Sequence, residues 1–481
     1  MAVTDVRLLY IGGAWVEGAR HAGNVNPSDV HDIVGVYAQG DRTHAGQAVD
    51  AAAHAASAWG ASTPQERFDV LDFIGTEVLA RKGELGRLLA REEGKTLAEA
   101  TGEVARAGFI FKFFAGEALR TGGERIRSVR PGVDVQMMRE PLGVVGLITP
   151  WNFPIAIPAW KTAPALAFGN TVVLKPAELV PGCAWALAEI ISRSGLPGGA
   201  FNLLMGKGSD VGDALIHDPR VAGISFTGSQ GVGARVAAAC VARQARVQLE
   251  MGGKNPLVVL DDADPGVAVA AAVNGAFFST GQRCTASSRL IVTEGIHDRF
   301  VAALVDRLGG LTIDDALAPG TDIGPVVDDA QLAKDLEYVA IARNEGGRLV
   351  HGGVRLKRGK EGFYLAPALF TETENGMRIN REEVFGPVAA VVRVRGYEEA
   401  LAAANDTPFG LCAGICTTSL KHASHFTGNA RAGMVMVNLP TAGVDYHVPF
   451  GGVKGSSYGT REQGRYAVEF YTTVKTCYIA P

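Results

Sequence analysis

At 481 residues the chain is long enough for about three ordinary domains or one enzyme of several parts, which excludes a small binding module. Apolar residues make up 47% and charged residues 20%, so neither a mainly disordered nor a collagen-like chain fits. With 46 basic against 50 acidic residues the formal net charge is −4, too balanced for a nucleic-acid or membrane footprint, and the expected partners are small molecules.

The stretch Met1 to Tyr10 carries Asp5 and lacks the basic-then-apolar layout of a secretory signal. No segment supplies the roughly 18 uninterrupted apolar residues of a membrane span, so a soluble cytoplasmic protein is expected. Before residue 120 the chain reads as mostly helical. Thr63-Pro64-Gln65-Glu66 offers a cap, a first-turn proline and an acidic residue three positions on, and Phe68, Leu71, Ile74 and Val78 follow at helical spacing. Two β-rich segments far apart in sequence, Ile126 to Arg139 and Tyr471 to Ile479, are expected to pair as an antiparallel flap.

From about residue 142 short apolar runs alternate with helix-like stretches such as Ala184 to Ser194. The runs are Val144 to Ile148, Thr171 to Leu174, Phe201 to Leu204 and Gly223 to Phe226, the pattern of a parallel sheet. It resumes after residue 254 with strands at Pro256 to Leu260, Leu290 to Thr293 and Val388 to Val394 and a helix at His297 to Leu308. Two α/β layers in series are predicted.

Six cysteines, Cys183, Cys240, Cys284, Cys412, Cys416 and Cys477, are too scattered to staple a chain of this length. Cys412 and Cys416 lack the second half of a zinc site, and no metal is expected. A free cysteine is most often a small buried hydrophobe. Cys284, however, lies in the polar turn Ser279-Thr280-Gly281-Gln282-Arg283-Cys284, where the neighbouring cation is expected to favour the nucleophilic thiolate. Glu250 stands at a strand end before Gly252 and Gly253, where a carboxylate near a thiol can activate the water that hydrolyses a thioester. Asn152, within Pro150-Trp151-Asn152-Phe153-Pro154, follows a strand and is the kind of amide that stabilises an oxyanion. Thr227-Gly228-Ser229 follows another strand and opens a helix, a place that favours phosphate, although it is not the GxGxxG fingerprint. Lys175 and Glu178, three apart at a strand end, can both reach ribose hydroxyls.

Together these pieces resemble the aldehyde dehydrogenase superfamily. The likeness rests on Pro-Trp-Asn-Phe-Pro at 150–154, Lys-Pro-Ala-Glu at 175–178, Phe-Thr-Gly-Ser at 226–229 and Leu-Glu-Met-Gly-Gly-Lys-Asn at 249–255. Gly-Gln-Arg-Cys at 281–284, Glu-Glu-Val-Phe-Gly-Pro at 382–387 and Pro-Phe-Gly-Gly-Val-Lys at 449–454 extend it over nearly the whole chain. The resemblance implies an α/β fold with a cofactor-binding domain (1–122 and 142–253), a catalytic domain (254–464) and a β oligomerisation arm (123–141 and 465–481). It implies Cys284 as nucleophile, Glu250 as general base, and Asn152 with the Cys284 backbone amide as oxyanion hole. Trp151, Lys175, Glu178, Gly228, Ser229, Glu383 and Phe385 would bind the cofactor, NAD with NADP as the alternative. Phe153, Trp160, Phe278, Arg283 and Phe450 would line the aldehyde pocket, and a homodimer or homotetramer follows by analogy.

The C-terminal run from Phe450 to Lys475 is similar to that of bacterial α-ketoglutaric semialdehyde (2,5-dioxopentanoate) dehydrogenases, which implies 2-oxoglutarate as product. Arg283 is the candidate partner for that substrate's carboxylate, while the aromatic residues suit a hydrophobic aldehyde equally; succinate semialdehyde and aromatic aldehydes are the alternatives. A CoA-acylating relative is disfavoured by Glu250, and a catalytically retired binding protein by Cys284, Glu250 and Asn152 together.

Overall fold

A computed structural model describes residues 5–480. Its central element is an eight-stranded sheet in which five adjacent strands are parallel: Arg246–Met251, Val221–Gly228, Val144–Ile148, Thr171–Lys175 and Phe201–Leu203, in that spatial order. These strands are apolar because helices cover both faces, and all five residues of Thr171–Lys175 are buried. A second sheet of seven strands is built around parallel Ala368–Thr373, Val388–Val394, Arg289–Thr293, Pro256–Val259, Cys412–Cys416 and Met434–Val437. The expected strands therefore form within a residue or two at most of their ends, and the two layers are connected in series. Ser457–Tyr458 crosses back to pair with Arg246–Met251, tying the late chain to the first sheet beside Glu250.

The helical reading holds for Arg42–Gly60, Pro64–Ala80, Lys82–Glu93 and Leu97–Ala118. At the second of these, the Thr63 hydroxyl accepts the Glu66 N–H at 3.2 Å and the Glu66 carboxylate accepts the Thr63 N–H at 2.7 Å, a closed capping box. Val70, Leu71, Ile74 and Val78 are buried on its inner face. Earlier residues correct the expectation. Arg20–Asn26 and Asp29–Gln39 form an antiparallel pair, and Leu9–Ile11 with Ala14–Val16 extends the first sheet. Arg20–Asn26 lies mostly exposed, so it lacks the in-out alternation that marks a strand in sequence.

The flap also forms. Thr472–Ile479 pairs antiparallel with Asp134–Pro141 along its whole length, and Glu124–Arg127 adds a third strand. The first flap segment is thus two strands joined by a turn. Ala467, Phe470 and Tyr471, just before Thr472, are buried in the core of the first sheet and anchor the flap to it.

Candidate active site

In the first sheet the chain leaves Val144–Ile148 to one side through Thr171–Lys175 and Phe201–Leu203, then returns to add Val221–Gly228 and Arg246–Met251 on the other. Such a reversal opens a crevice at the carboxyl ends of the two adjacent strands. Pro150, Trp151 and Asn152 leave one of them; Gly228 and Ser229 leave the other. Together with Trp160, Glu250, Met251 and Gly252, they line a cavity of about 200 Å³, closed from the second sheet's side by Cys284, Glu383, Phe385 and Phe450.

Cys284 follows the short helical turn Phe278–Gly281, in which Ser279 and Thr280 hold left-handed φ values of 50° and 56°. Two contacts stabilise this uncommon backbone: the Ser279 N–H donates to the Glu99 carboxylate at 2.8 Å, and the Thr280 hydroxyl donates to the Pro325 carbonyl at 3.2 Å. The Asn255 amide holds the Cys284 carbonyl at 2.8 Å. Burial pushes the Cys284 thiol up to about 12, with the nearby Glu383 and Glu250 carboxylates acting in the same direction, while the Cys284 and Thr285 backbone amides favour the anion. The expectation that Arg283 favours the thiolate is therefore corrected. Its guanidinium is turned to Glu99 (3.2 Å), Ser279 (2.7 Å) and Asn274 (3.2 Å).

Glu250 is buried, at 3% exposure, rather than a solvated charge. The Ser457 hydroxyl donates to its Oε2 at 2.6 Å, whereas Oε1 has no partner and is left as an acceptor. Burial raises its pKa well above the usual carboxylate value, and Glu462 adds to the effect. Glu462 is itself ion-paired to Lys161, which donates to the Ser225 hydroxyl at 2.7 Å. Sequence reading missed this buried pair. Its signal was a lysine inside the otherwise apolar helix Ala156–Ala167, every residue of which is buried. Asn152 is pinned by donating one amide hydrogen to the Gln282 carbonyl at 2.9 Å, and its second amide hydrogen remains for a ligand in the cavity.

The residues expected to bind the cofactor trace a groove across the same crevice. Glu178 lies 3.8 Å from the buried Lys175 Nζ and accepts the Gly208 N–H at 2.9 Å, beside a cavity of about 690 Å³ with apolar walls at Ile148, Phe226, Val232 and Val236. A cation and a carboxylate side by side suit a ribose diol, and the apolar walls suit a base. Ser229 is the N-cap of the helix Gln230–Ala242 but makes no side-chain cap bond, so its hydroxyl and the first-turn amides remain for a phosphate. Glu383 is held by the Gly253 N–H at 2.7 Å, and a Cβ at Gly252 would strike its carboxylate. Phe385 meets Trp151 edge to face at 5.3 Å. This donor and acceptor set fits a nicotinamide dinucleotide along its length.

On the other side of Cys284 a cavity of about 340 Å³ is lined by Phe153, Trp160, Arg283, Phe450 and three residues the sequence reading passed over, Lys95, Glu103 and Arg106. The Trp160 and Phe450 rings lie 5.4 Å apart. Phe278 corrects the expectation. It is absent from this lining and packs on the hydrophobic cluster of the second sheet, because the left-handed turn directs its neighbour Ser279 into the cavity instead.

Residues 15–477 match the model of the aldehyde dehydrogenase family. The chain is 44% identical to the alpha-ketoglutarate semialdehyde dehydrogenase of Haloferax volcanii over 99% of both chains. It is likewise 44% identical to the alpha-ketoglutaric semialdehyde dehydrogenase of Bacillus subtilis over 98% of both. Among solved structures, betaine aldehyde dehydrogenase from Staphylococcus aureus in complex with NAD+ superimposes with a TM-score of 0.96 at 34% identity, covering 98% of this chain and 95% of that one. Both the match across almost every residue and the crevice at the strand reversal have one explanation: this chain belongs to the aldehyde dehydrogenase family.

Proposed function

We propose that the protein oxidises 2,5-dioxopentanoate to 2-oxoglutarate with NAD, through a thioester on Cys284. The observation that carries the chemistry is the convergence of Cys284, Glu250 and Asn152 on one cavity, with Glu250 Oε1 unpartnered. Full-length likeness to two α-ketoglutaric semialdehyde dehydrogenases supports the substrate.

Cys284 and Glu250 are each biased toward the neutral form, and the Glu250 carboxylate adds to the cost of ionising the thiol. With Glu250 ionised, the thiol proton passes to its carboxylate as Sγ attacks the aldehyde carbon. The resulting oxyanion accepts hydrogen bonds from the Asn152 side-chain amide and the Cys284 backbone N–H. Bound NAD supplies the acceptor for the hydride. Sγ is left carrying a thioester. Glu250, having returned its first proton to solvent, then takes one from water as that water attacks the acyl carbon, and the acid departs as the Sγ–C bond breaks. Lys175 and Glu178 would hold the adenosine ribose, Ser229 and Gly228 the pyrophosphate, and Glu383 with Trp151 and Phe385 the nicotinamide ribose and ring. Glu178 would repel a 2′-phosphate, which favours NAD over NADP.

We assign residues 1–122 and 142–253 to the cofactor domain, 254–464 to the catalytic domain, and 123–141 with 465–481 to an oligomerisation arm. The arm exposes Ile126, Val474, Tyr478 and Ile479, apolar groups that association into a homodimer or homotetramer would cover. No described helix is long and apolar enough to cross a membrane, and a cytoplasmic enzyme is the reading in keeping with the free cysteines. Comparison of kcat/KM for 2,5-dioxopentanoate, succinate semialdehyde, betaine aldehyde and benzaldehyde tests the substrate. The order expected begins with 2,5-dioxopentanoate, and a higher value for benzaldehyde or betaine aldehyde overturns it.

A further inference from the structure

Three cations line the cavity on the aldehyde side of Cys284, and their existing partners distinguish them. Lys95 donates to the Glu103 carboxylate at 2.8 Å and to the Asn152 carbonyl, with its ammonium 3.7 Å from the centre of the Phe153 ring. Arg283 is bound to Glu99, Ser279 and Asn274 through both terminal nitrogens. Each is already neutralised by a carboxylate. Arg106, on the helix Leu97–Ala118, forms no salt bridge among the described residues. Its Nη1 donates to the Val444 carbonyl and its Nη2 to Gln463 Oε1 at 3.0 Å, both neutral acceptors.

A guanidinium has five N–H donors. Two of those on Arg106 are used, and its Nε is buried without any partner. An unsatisfied donor on a buried cation is costly unless something from outside the fold meets it. The side chain lies alongside Trp160, 5.9 Å from the ring centre, and shares the cavity with Cys284. Burial lowers its pKa, with Glu103, Asp445 and Cys284 opposing that shift.

We propose that Arg106, not Arg283, binds the acidic end of the substrate. It presents its open N–H groups to a 2-oxocarboxylate or simple carboxylate while Cys284 takes the aldehyde carbon. The 2-oxo acid headgroup offers three acceptor oxygens to a planar fork of donors, a match a point-like ammonium would not make. Arg283 instead fastens the turn that carries Cys284. This assignment rests on the substrate reading above and adds the residue that enforces it.

The test compares kcat/KM for 2,5-dioxopentanoate with that for pentanal, as a ratio, in the wild type, Arg106→Met, Arg106→Lys and Arg283→Met. The ratio cancels general damage to the chemistry. Arg106→Met is expected to lower it about 100-fold, the scale of a lost charge-assisted contact, and Arg106→Lys to recover part of that loss. Arg283→Met is expected to depress both substrates together and leave the ratio within about threefold of the wild type. A wild type that shows no preference for the acid overturns the substrate reading and this assignment with it. A preference that persists in Arg106→Met, or vanishes only in Arg283→Met, overturns the assignment alone.

Discussion

Cys284 and Glu250 look unreactive one at a time, since burial favours the thiol and the protonated carboxyl. In the proposed reaction an ionised Glu250 takes the thiol proton as Sγ attacks. Cys284→Ala is expected to lower aldehyde oxidation by at least about 1,000-fold while the dissociation constant for NAD, followed by fluorescence, stays within about threefold. Oxidation persisting near the wild-type rate would remove Cys284 from the chemistry. For Glu250 the sign is set by its raised pKa: the base form is lost as pH falls, so kcat should decline on the acid side well above the ordinary glutamate value of about 4.3 and rise with pH until Glu250 ionises. Glu250→Gln should flatten that limb and slow steady turnover about 100-fold, leaving a burst of reduced NAD in rapid mixing, because hydride loss precedes hydrolysis. The residues legible in sequence were those embedded in rigid motifs, such as Asn152 between two prolines and Cys284 after glycine. Arg106 and the Lys161–Glu462 pair were not. Their partners lie hundreds of residues away, and a lone arginine on a helix carries no mark of the donor it leaves unpaired.

Elements were readable where local chemistry and tertiary packing agree. Thr63 and Glu66 close the capping box that their spacing predicts, and the parallel strands at 144–148 and 388–394 end where their apolar runs end. Thr63→Ala should cost about 1 kcal/mol locally, read as a roughly fivefold faster hydrogen exchange of the first-turn amides of Pro64–Ala80, with no change in the helix Leu97–Ala118. Unchanged exchange would show that packing on Leu97–Ala118, not the cap, holds the helix start. Strands before residue 40 are hard to see in the sequence because Arg20–Asn26 is mostly exposed and Asp29–Gln39 does not alternate strictly between buried and exposed positions. Phe278 was misassigned for a related reason: only the left-handed backbone of Ser279 and Thr280 decides which side chain of the turn enters the cavity, and no residue type there announces it.

Across the whole molecule, the crevice of the first sheet is closed by Cys284 from the second sheet's side, and Ser457–Tyr458 pairs the late chain to the first sheet next to Glu250. The three-stranded flap stands apart from both, with Val474 at 58% and Tyr478 at 61% exposure. A paired Val474→Asp and Tyr478→Asp variant should reduce the mass measured by light scattering to that of a smaller assembly, since two charges on an apolar contact are not tolerated. An unchanged mass would place the contact elsewhere. Release of the Cys284 acyl group by water is read out by turning over 2,5-dioxopentanoate with NAD in heavy-oxygen water without CoA. The expected outcome is at least one solvent oxygen in the new carboxylate of 2-oxoglutarate for each NAD reduced, the second being labelled to the extent that the aldehyde exchanges its oxygen through its hydrate. Unaltered aldehyde, or product formed only when CoA is added, would contradict it.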